Sequence, residues 1–216
     1  MSTESPLPRL PLSARTRVDA LLGRGERVLL GLVGPPGAGK STLAQVLFEA
    51  YSGLAQVVPM DGFHLANVEL KRLGRAHRKG APDTFDSAGY VELLCRLRRQ
   101  GGDAGPIYAP MFRRDLEEPL GSAIAVLPSS RLVITEGNYL LVSEHGWSPV
   151  SALLDETWYI DGDATLRVER LLRRHQEFGR SETQARDWVL QTDEPNARRI
   201  EATRGRADWV FRWEQP

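Results

Sequence analysis

The stretch Gly34-Pro35-Pro36-Gly37-Ala38-Gly39-Lys40-Ser41 fills every fixed position of the pattern G-x-x-x-x-G-K-[ST]. An apolar run, residues 28–33, precedes it, and a helical pattern, residues 42–51, follows. Strand, glycine-rich loop and helix in that order make a phosphate-binding loop, or P-loop. The glycines let successive N–H groups face a polyphosphate, Lys40 reaches the β and γ phosphates, and the Ser41 hydroxyl is placed to ligate Mg²⁺. The helix that starts beside the loop adds the positive end of its dipole. A chance glycine-rich turn would not carry all these residues between a strand and a helix. Gly34 through Thr42 are therefore expected to hold ATP. A P-loop serves kinases, GTPases, motors and inert nucleotide binders alike, so the rest of the chain must show where the phosphate goes.

Outward from the loop, strand-like runs recur at residues 56–60, 132–135, 156–160 and 209–213, alternating with helical patterns at 12–22, 68–73, 87–99, 164–178 and 181–204. Strands that alternate with helices predict a mostly parallel sheet covered on both faces, a three-layer α/β/α arrangement. In such sheets ligands sit at the C-terminal strand ends. Residues 1–25 read as an N-terminal segment with a short helix, and residues 26–216 as a single domain. The segments 72–85 and 101–119 are polar and rich in glycine or proline, and are read as irregular binding loops.

Composition narrows the function classes. The 216 residues suit one α/β domain, and 28 basic residues balance 28 acidic ones. No overall basic field points to nucleic acid or to an anionic membrane. Cys95 is the single cysteine, so no intrachain disulfide can form. No apolar run approaches the roughly 18 residues of a membrane span, and the expected location is cytoplasmic. A homodimer is left open.

Two acids stop apolar runs on the P-loop edge of the sheet. Asp61, in Pro59-Met60-Asp61-Gly62-Phe63-His64, follows the second strand. It reads either as the general base that takes a proton from an acceptor hydroxyl or as a turn aspartate before Gly62. Glu136 closes the run Leu132-Val133-Ile134-Thr135 and stands where P-loop proteins keep a metal- or water-orienting acid. With Ser41 it is the expected Mg²⁺ site. On one helical stretch, Arg167, Arg170, Arg173 and Arg174 recur at three- and four-residue spacing, a row that either closes over a polyphosphate or forms a solvated face paired with Glu169 and Glu177.

In this order the motifs resemble the superfamily of uridine kinase, phosphoribulokinase and bacterial pantothenate kinase, with a P-loop, Asp61-Gly62-Phe63 after the second strand and Glu136-Gly137 after the third. The likeness runs from about residue 28 to 211 and is nearest to compact bacterial proteins described as nucleoside/nucleotide kinase-like or as fructose transport system kinases. It implies a P-loop NTPase fold with a small helical lid around residues 164–182. It also implies Mg²⁺·ATP-dependent phosphorylation of a free hydroxyl on a small molecule, with Asp61 as base. Lys40 and the lid residues Arg170 and Arg173 would then be catalytic, and Arg180 would contact ATP. His64, Lys79, Asp83, Tyr108 and Arg113 become acceptor-contacting candidates, with Phe112 and Arg114 beside them. Uridine kinases hold the ribose diol with an aspartate where this chain has Gly80, in Arg78-Lys79-Gly80-Ala81-Pro82-Asp83. That departure puts nucleoside specificity in doubt, and the acceptor stays open among a sugar such as fructose, pantothenate and a nucleoside, in that order. The rival reading is a regulatory module that hydrolyses ATP without a small-molecule acceptor, which would leave Asp61 and the two loops without a task. A GTP switch is disfavoured because no Asn-Lys-x-Asp segment occurs.

Overall fold

The computed structural model describes residues 7–213. The first six residues of the N-terminal segment and the last three of the domain lie outside the described residues. Among the described residues, seven strands and seven α-helices follow in chain order: α1 Leu12–Leu22, β1 Val28–Val33, α2 Lys40–Ala50, β2 Ala55–Pro59, α3 Asn67–Arg72, α4 Ser87–Arg99, β3 Ile107–Arg113, β4 Glu118–Val126, β5 Leu132–Gly137, β6 Glu156–Ile160, α5 Ala164–Glu177, α6 Glu182–Trp188, α7 Glu194–Glu201 and β7 Trp209–Phe211.

Five strands form one parallel sheet in the order β2-β5-β1-β6-β7. Both faces are covered, which is why β1 and β5 are buried at every position and read as unbroken apolar runs. The pleat divides β1 between two cores. Leu29 and Val33 face α4 and the Tyr90, Tyr139 and Trp147 rings, while Val28, Leu30 and Leu32 face α1 and α2. Inside the first core the Tyr90 hydroxyl donates to Thr135 Oγ1 at 2.6 Å, and Thr135 in turn donates to the Val58 carbonyl at 2.7 Å. That chain satisfies two buried hydroxyls and ties α4 to β2 and β5. No helix among the described residues is long and apolar enough to cross a membrane.

Two expectations are corrected here. Residues 101–106 are irregular as expected, but from Ile107 on the chain is regular: β3 and β4 pair as an antiparallel hairpin with a register shift between Ala109 and Met111. Pro106, Pro110 and Pro119 interrupt the alternation, and most of β4 is exposed, so no half-buried strand pattern marks it. The helix read over 181–204 is split. Pro195 lacks an N–H, and the chain widens into a π-helical stretch, Val189–Asp193, before α7 resumes.

Candidate active site

Strand register places the chemistry. Pro59 of β2 lies opposite Glu136 of β5, and Glu136 lies opposite Leu32 of β1. Asp61, Glu136 and the P-loop therefore emerge side by side at the C-terminal edge of the sheet.

The P-loop is shaped by Gly37 and Gly39, at φ 79° and 95°. A Cβ on Gly37 would also stand 2.8 Å from the Arg167 carbonyl oxygen of α5, so the loop rests on that helix without room for a side chain. No side chain caps the N-terminus of α2, which leaves its first N–H groups directed at the cleft. Lys40 is buried and bridges the loop, donating to the carbonyls of Gly34 at 2.9 Å and Pro35 at 3.1 Å and to Asn138 Oδ1 at 2.7 Å. Burial pulls its ammonium down to about 8, against the opposing pull of Glu136 and Asp61. Ser41 Oγ donates to Glu136 Oε1 at 2.9 Å. Burial, followed by the nearby Asp61 charge, holds Glu136 above the usual carboxylate range.

Among the described residues there is no group of three or more His, Cys, Asp or Glu able to hold a metal alone. One hydroxyl and one carboxylate beside a phosphate cradle are what Mg²⁺ takes when substrate phosphates supply further oxygens. The donor set fits.

Asp61 stands on a tight turn that two glycines make room for. A Cβ on Gly62 would meet the Pro110 carbonyl oxygen of β3 at 2.3 Å, and one on Gly137 would meet Met60 Cβ at 2.6 Å. The hairpin and β5 thus close directly on Asp61. Arg114 Nη2, from the turn of the hairpin, reaches Asp61 Oδ2 at 3.3 Å. Burial pushes the Asp61 carboxyl up, but His64, Arg114, Lys40 and Arg174 together outweigh it and hold the group below its ordinary value. Asp61 is ionised and can accept a proton. His64 packs between Phe85 and Phe112, with ring centroids 4.0 and 4.6 Å away, and its Nδ1–H donates to the Asp61 carbonyl at 2.7 Å. Burial holds this imidazole below its ordinary range, and in its neutral form Nε2 is an acceptor.

Across the cleft α5 presents Arg170 and Arg174, one turn apart. Behind them His175 Nε2 meets Asp193 Oδ2 at 2.7 Å, and Arg180 meets His175 Nδ1 at 3.0 Å while lying 3.8 Å from the Trp188 ring centroid. The space enclosed by the P-loop, Asp61, the hairpin turn and this helical layer is about 740 Å³.

Comparisons with known proteins agree with this geometry. The chain is 36% identical over 168 residues to a Schizosaccharomyces pombe protein provisionally named uridine kinase C227.14, across 74% of this chain and 71% of the relative. It is 35% identical over 145 residues to an ATP-dependent kinase-like protein of Aspergillus versicolor, across 64% of this chain and 84% of that one. A crystal structure from Silicibacter sp. TM1040, provisionally described as a fructose transport system kinase, matches at 37% identity and a TM-score of 0.81, covering 91% and 97% of the two chains. The chain belongs to the uridine kinase-like P-loop kinases. No family model matches it. It is an ATP-dependent kinase with a small-molecule substrate.

In this kinase the expected nucleotide residues Gly34 to Thr42 form the loop described, although Ala38 faces the core rather than the cleft. Lys40, Ser41, Asp61, His64, Lys79, Glu136, Arg170 and Arg180 all line the cleft. Outside the P-loop, four expected residues do not. Arg173 is exposed and turned off the cleft face, because positions 170 and 174 share that face and 173 is rotated from it; Arg174 takes the place expected of Arg173. Asp83 is engaged within its own loop by Arg78 Nη2 at 2.7 Å and Arg75 Nε at 3.5 Å. Tyr108 is 53% exposed on the far side of the hairpin, and Arg113 pairs with Asp115 at 2.6 Å in solvent. The register shift in β3 turns Phe112 and Arg114 inward in their stead. Asn138 was not foreseen; its signal is a polar residue two places after Glu136 at the end of a buried strand. Asn67 and Asn196 also line the cleft, and nothing in their sequence context marks them.

Proposed function

We propose that this kinase transfers the γ-phosphoryl group of ATP to an alcohol group of a small metabolite, with Asp61 as general base. The observation that carries the reading is a carboxylate at the end of β2, in one cleft with the Lys40 ammonium and the Ser41–Glu136 pair, with 28% of its side chain exposed. Asp61 orients the acceptor hydroxyl and takes its proton as the new bond forms. Lys40, already held by three oxygens, stands where charge moves onto the phosphate oxygens, and Arg170 and Arg174 approach from α5 to neutralise it. Ser41 and Glu136 would hold Mg²⁺, which when bound neutralises the β- and γ-phosphate oxygens. The helical layer around α5 and α6 acts as a lid that keeps water from competing with the acceptor.

For the acceptor, a sugar or a hydroxy acid such as pantothenate fits better than a nucleoside. Gly80 offers no carboxylate to a ribose diol, and its carbonyl already receives the Tyr139 hydroxyl. The test is an ATP-to-ADP coupled assay with Mg²⁺ across sugars, sugar phosphates, hydroxy acids and nucleosides, with product masses recorded. Acceptor-dependent ADP formation with a product heavier by one phosphate is expected. Slow ADP formation indifferent to every acceptor would favour an ATP-hydrolysing regulatory module instead.

A further inference from the structure

The acceptor end of the cleft is unbalanced in its hydrogen-bonding groups. Asn67 Oδ1 already receives Lys79 Nζ at 2.8 Å, and the Gly80 carbonyl already receives Tyr139. Asp61 is committed to the reacting hydroxyl, and the Glu117 carboxylate is 56% exposed. What remains on the acceptor side is His64 Nε2 and the solvent-facing Glu117 carboxylate. The donors are cations: Lys79, with only 13% of its side chain exposed, and Arg114.

Lys79 is anchored in advance. The Asn67 side chain takes one of its protons and the Glu117 carbonyl another, and the ammonium lies 5.1 Å from the Phe112 ring centroid. Glu117 reaches it from the turn between β3 and β4 with φ at 53°, a left-handed conformation uncommon for a residue with a side chain. The Glu117 carboxylate pairs with it at 3.9 Å, beyond a hydrogen bond, and Glu117 and Glu118 only partly offset its burial, so two of the three ammonium protons are committed and the third is not. A half-buried cation in this state carries a desolvation cost that a bound anion offsets. Arg114 reaches Asp61 at 3.3 Å, and Lys79 and His64 both lie against the Phe112 ring, at 5.1 and 4.6 Å from its centroid, all on the wall of the one cleft that holds Lys40 and Glu136. The groups therefore run in series from the P-loop, through Asp61 and Arg114, to His64 and Lys79. A neutral polyol needs several acceptors from its site, and this wall has few. A carboxylate or a phosphate needs donors, and this wall supplies them.

Resting on the acceptor site proposed above, we infer that the acceptor is an anion, a hydroxylated carboxylate or phosphate ester whose charged group seats on Lys79 while its reacting hydroxyl lies at Asp61. The chain has three lysines, Lys40, Lys71 and Lys79. Labelling with [¹⁵N]lysine thus yields one backbone amide resonance in the P-loop, one on the exposed face of α3, and one at the anion seat. Lys79→Met assigns the last by its disappearance. With Mg²⁺ and a non-hydrolysable ATP analogue present, the labelled protein is titrated with matched pairs: glycerate and glycerol, pantothenate and pantothenol, fructose 6-phosphate and fructose.

The expected result is that the charged member of at least one pair shifts the Lys79 resonance saturably, at least tenfold more tightly than its neutral partner, while Lys71 stays still. The carboxylate and phosphate pairs tell the two anions apart. In Lys79→Met, intrinsic fluorescence should show that the charged member has lost this advantage. A neutral member that binds as tightly would overturn the inference. So would a Lys79 signal that no charged member moves while the ATP analogue moves Lys40. A charged ligand that seats at Lys79 but gains no phosphate when ATP is supplied would uphold the anion seat and refute the acceptor role of Asp61, which keeps the two failures distinct.

Discussion

Because burial pulls Lys40 from 10.5 down to about 8, capture of ATP should fail in mild alkali, far below the range where an ordinary lysine loses its charge. At about pH 9 roughly one tenth of the free enzyme would carry Lys40 as a cation, against nearly all of it for an unperturbed lysine. kcat/KM for ATP reports the free enzyme, so it should fall about tenfold from its plateau by that pH. kcat should hold to higher pH, because bound phosphates favour the charged ammonium. Stability supplies a check of opposite sign. A lysine whose folded value lies below its unfolded value weakens the fold while charged. The penalty is complete below about pH 8 and disappears as pH rises toward 10.5, amounting to on the order of 3 kcal/mol. Denaturant melts of wild type and Lys40→Met without nucleotide should therefore differ in a pH-dependent way across that window. A kcat/KM profile for ATP that stays flat to pH 10, with no pH-dependent difference between the melts, would refute the reasoning.

Other consequences follow from single contacts. Arg174→Met should lower kcat by about 10²-fold or more, the loss typical of a donor to transition-state charge, whereas Arg173→Met should stay within about twofold, as steady-state kinetics would show. Gly62→Ala drives a Cβ into the Pro110 carbonyl and should cost about 1–3 kcal/mol in a denaturant melt, together with lost turnover as the hairpin is pushed from Asp61. Glu136→Gln should raise the Mg²⁺ concentration for half-maximal rate about tenfold or more at fixed ATP, read by metal titration.

Local pattern carried the fold as far as local pattern can. β1, the P-loop and α2 are contiguous, so their reading needed no tertiary knowledge, and the buried runs of β5 and β6 announce themselves by hydrophobicity alone. The β3–β4 hairpin was hidden because three prolines and an exposed outer strand remove the alternation on which a strand is recognised. Site residues divide by the same logic. Asp61 and Glu136 end strands, and strand ends converge by topology. The choice between Arg173 and Arg174 depends on how α5 is rotated about its axis, and spacing does not fix that because both neighbour Arg170. Asp83 looked available until the loop folded Arg75 and Arg78 onto it. The packing that holds the His64 ring comes from Phe85, twenty-one positions along the chain, which no local window contains.

The central claim is that Asp61 takes the proton of the acceptor hydroxyl, and single-turnover phosphoryl transfer in Asp61→Asn tests it most directly. With ATP prebound and the acceptor added last, the account predicts a transfer rate lowered by about 10²–10⁴-fold while ATP affinity stays within a few-fold of wild type. A transfer rate near that of wild type would contradict it.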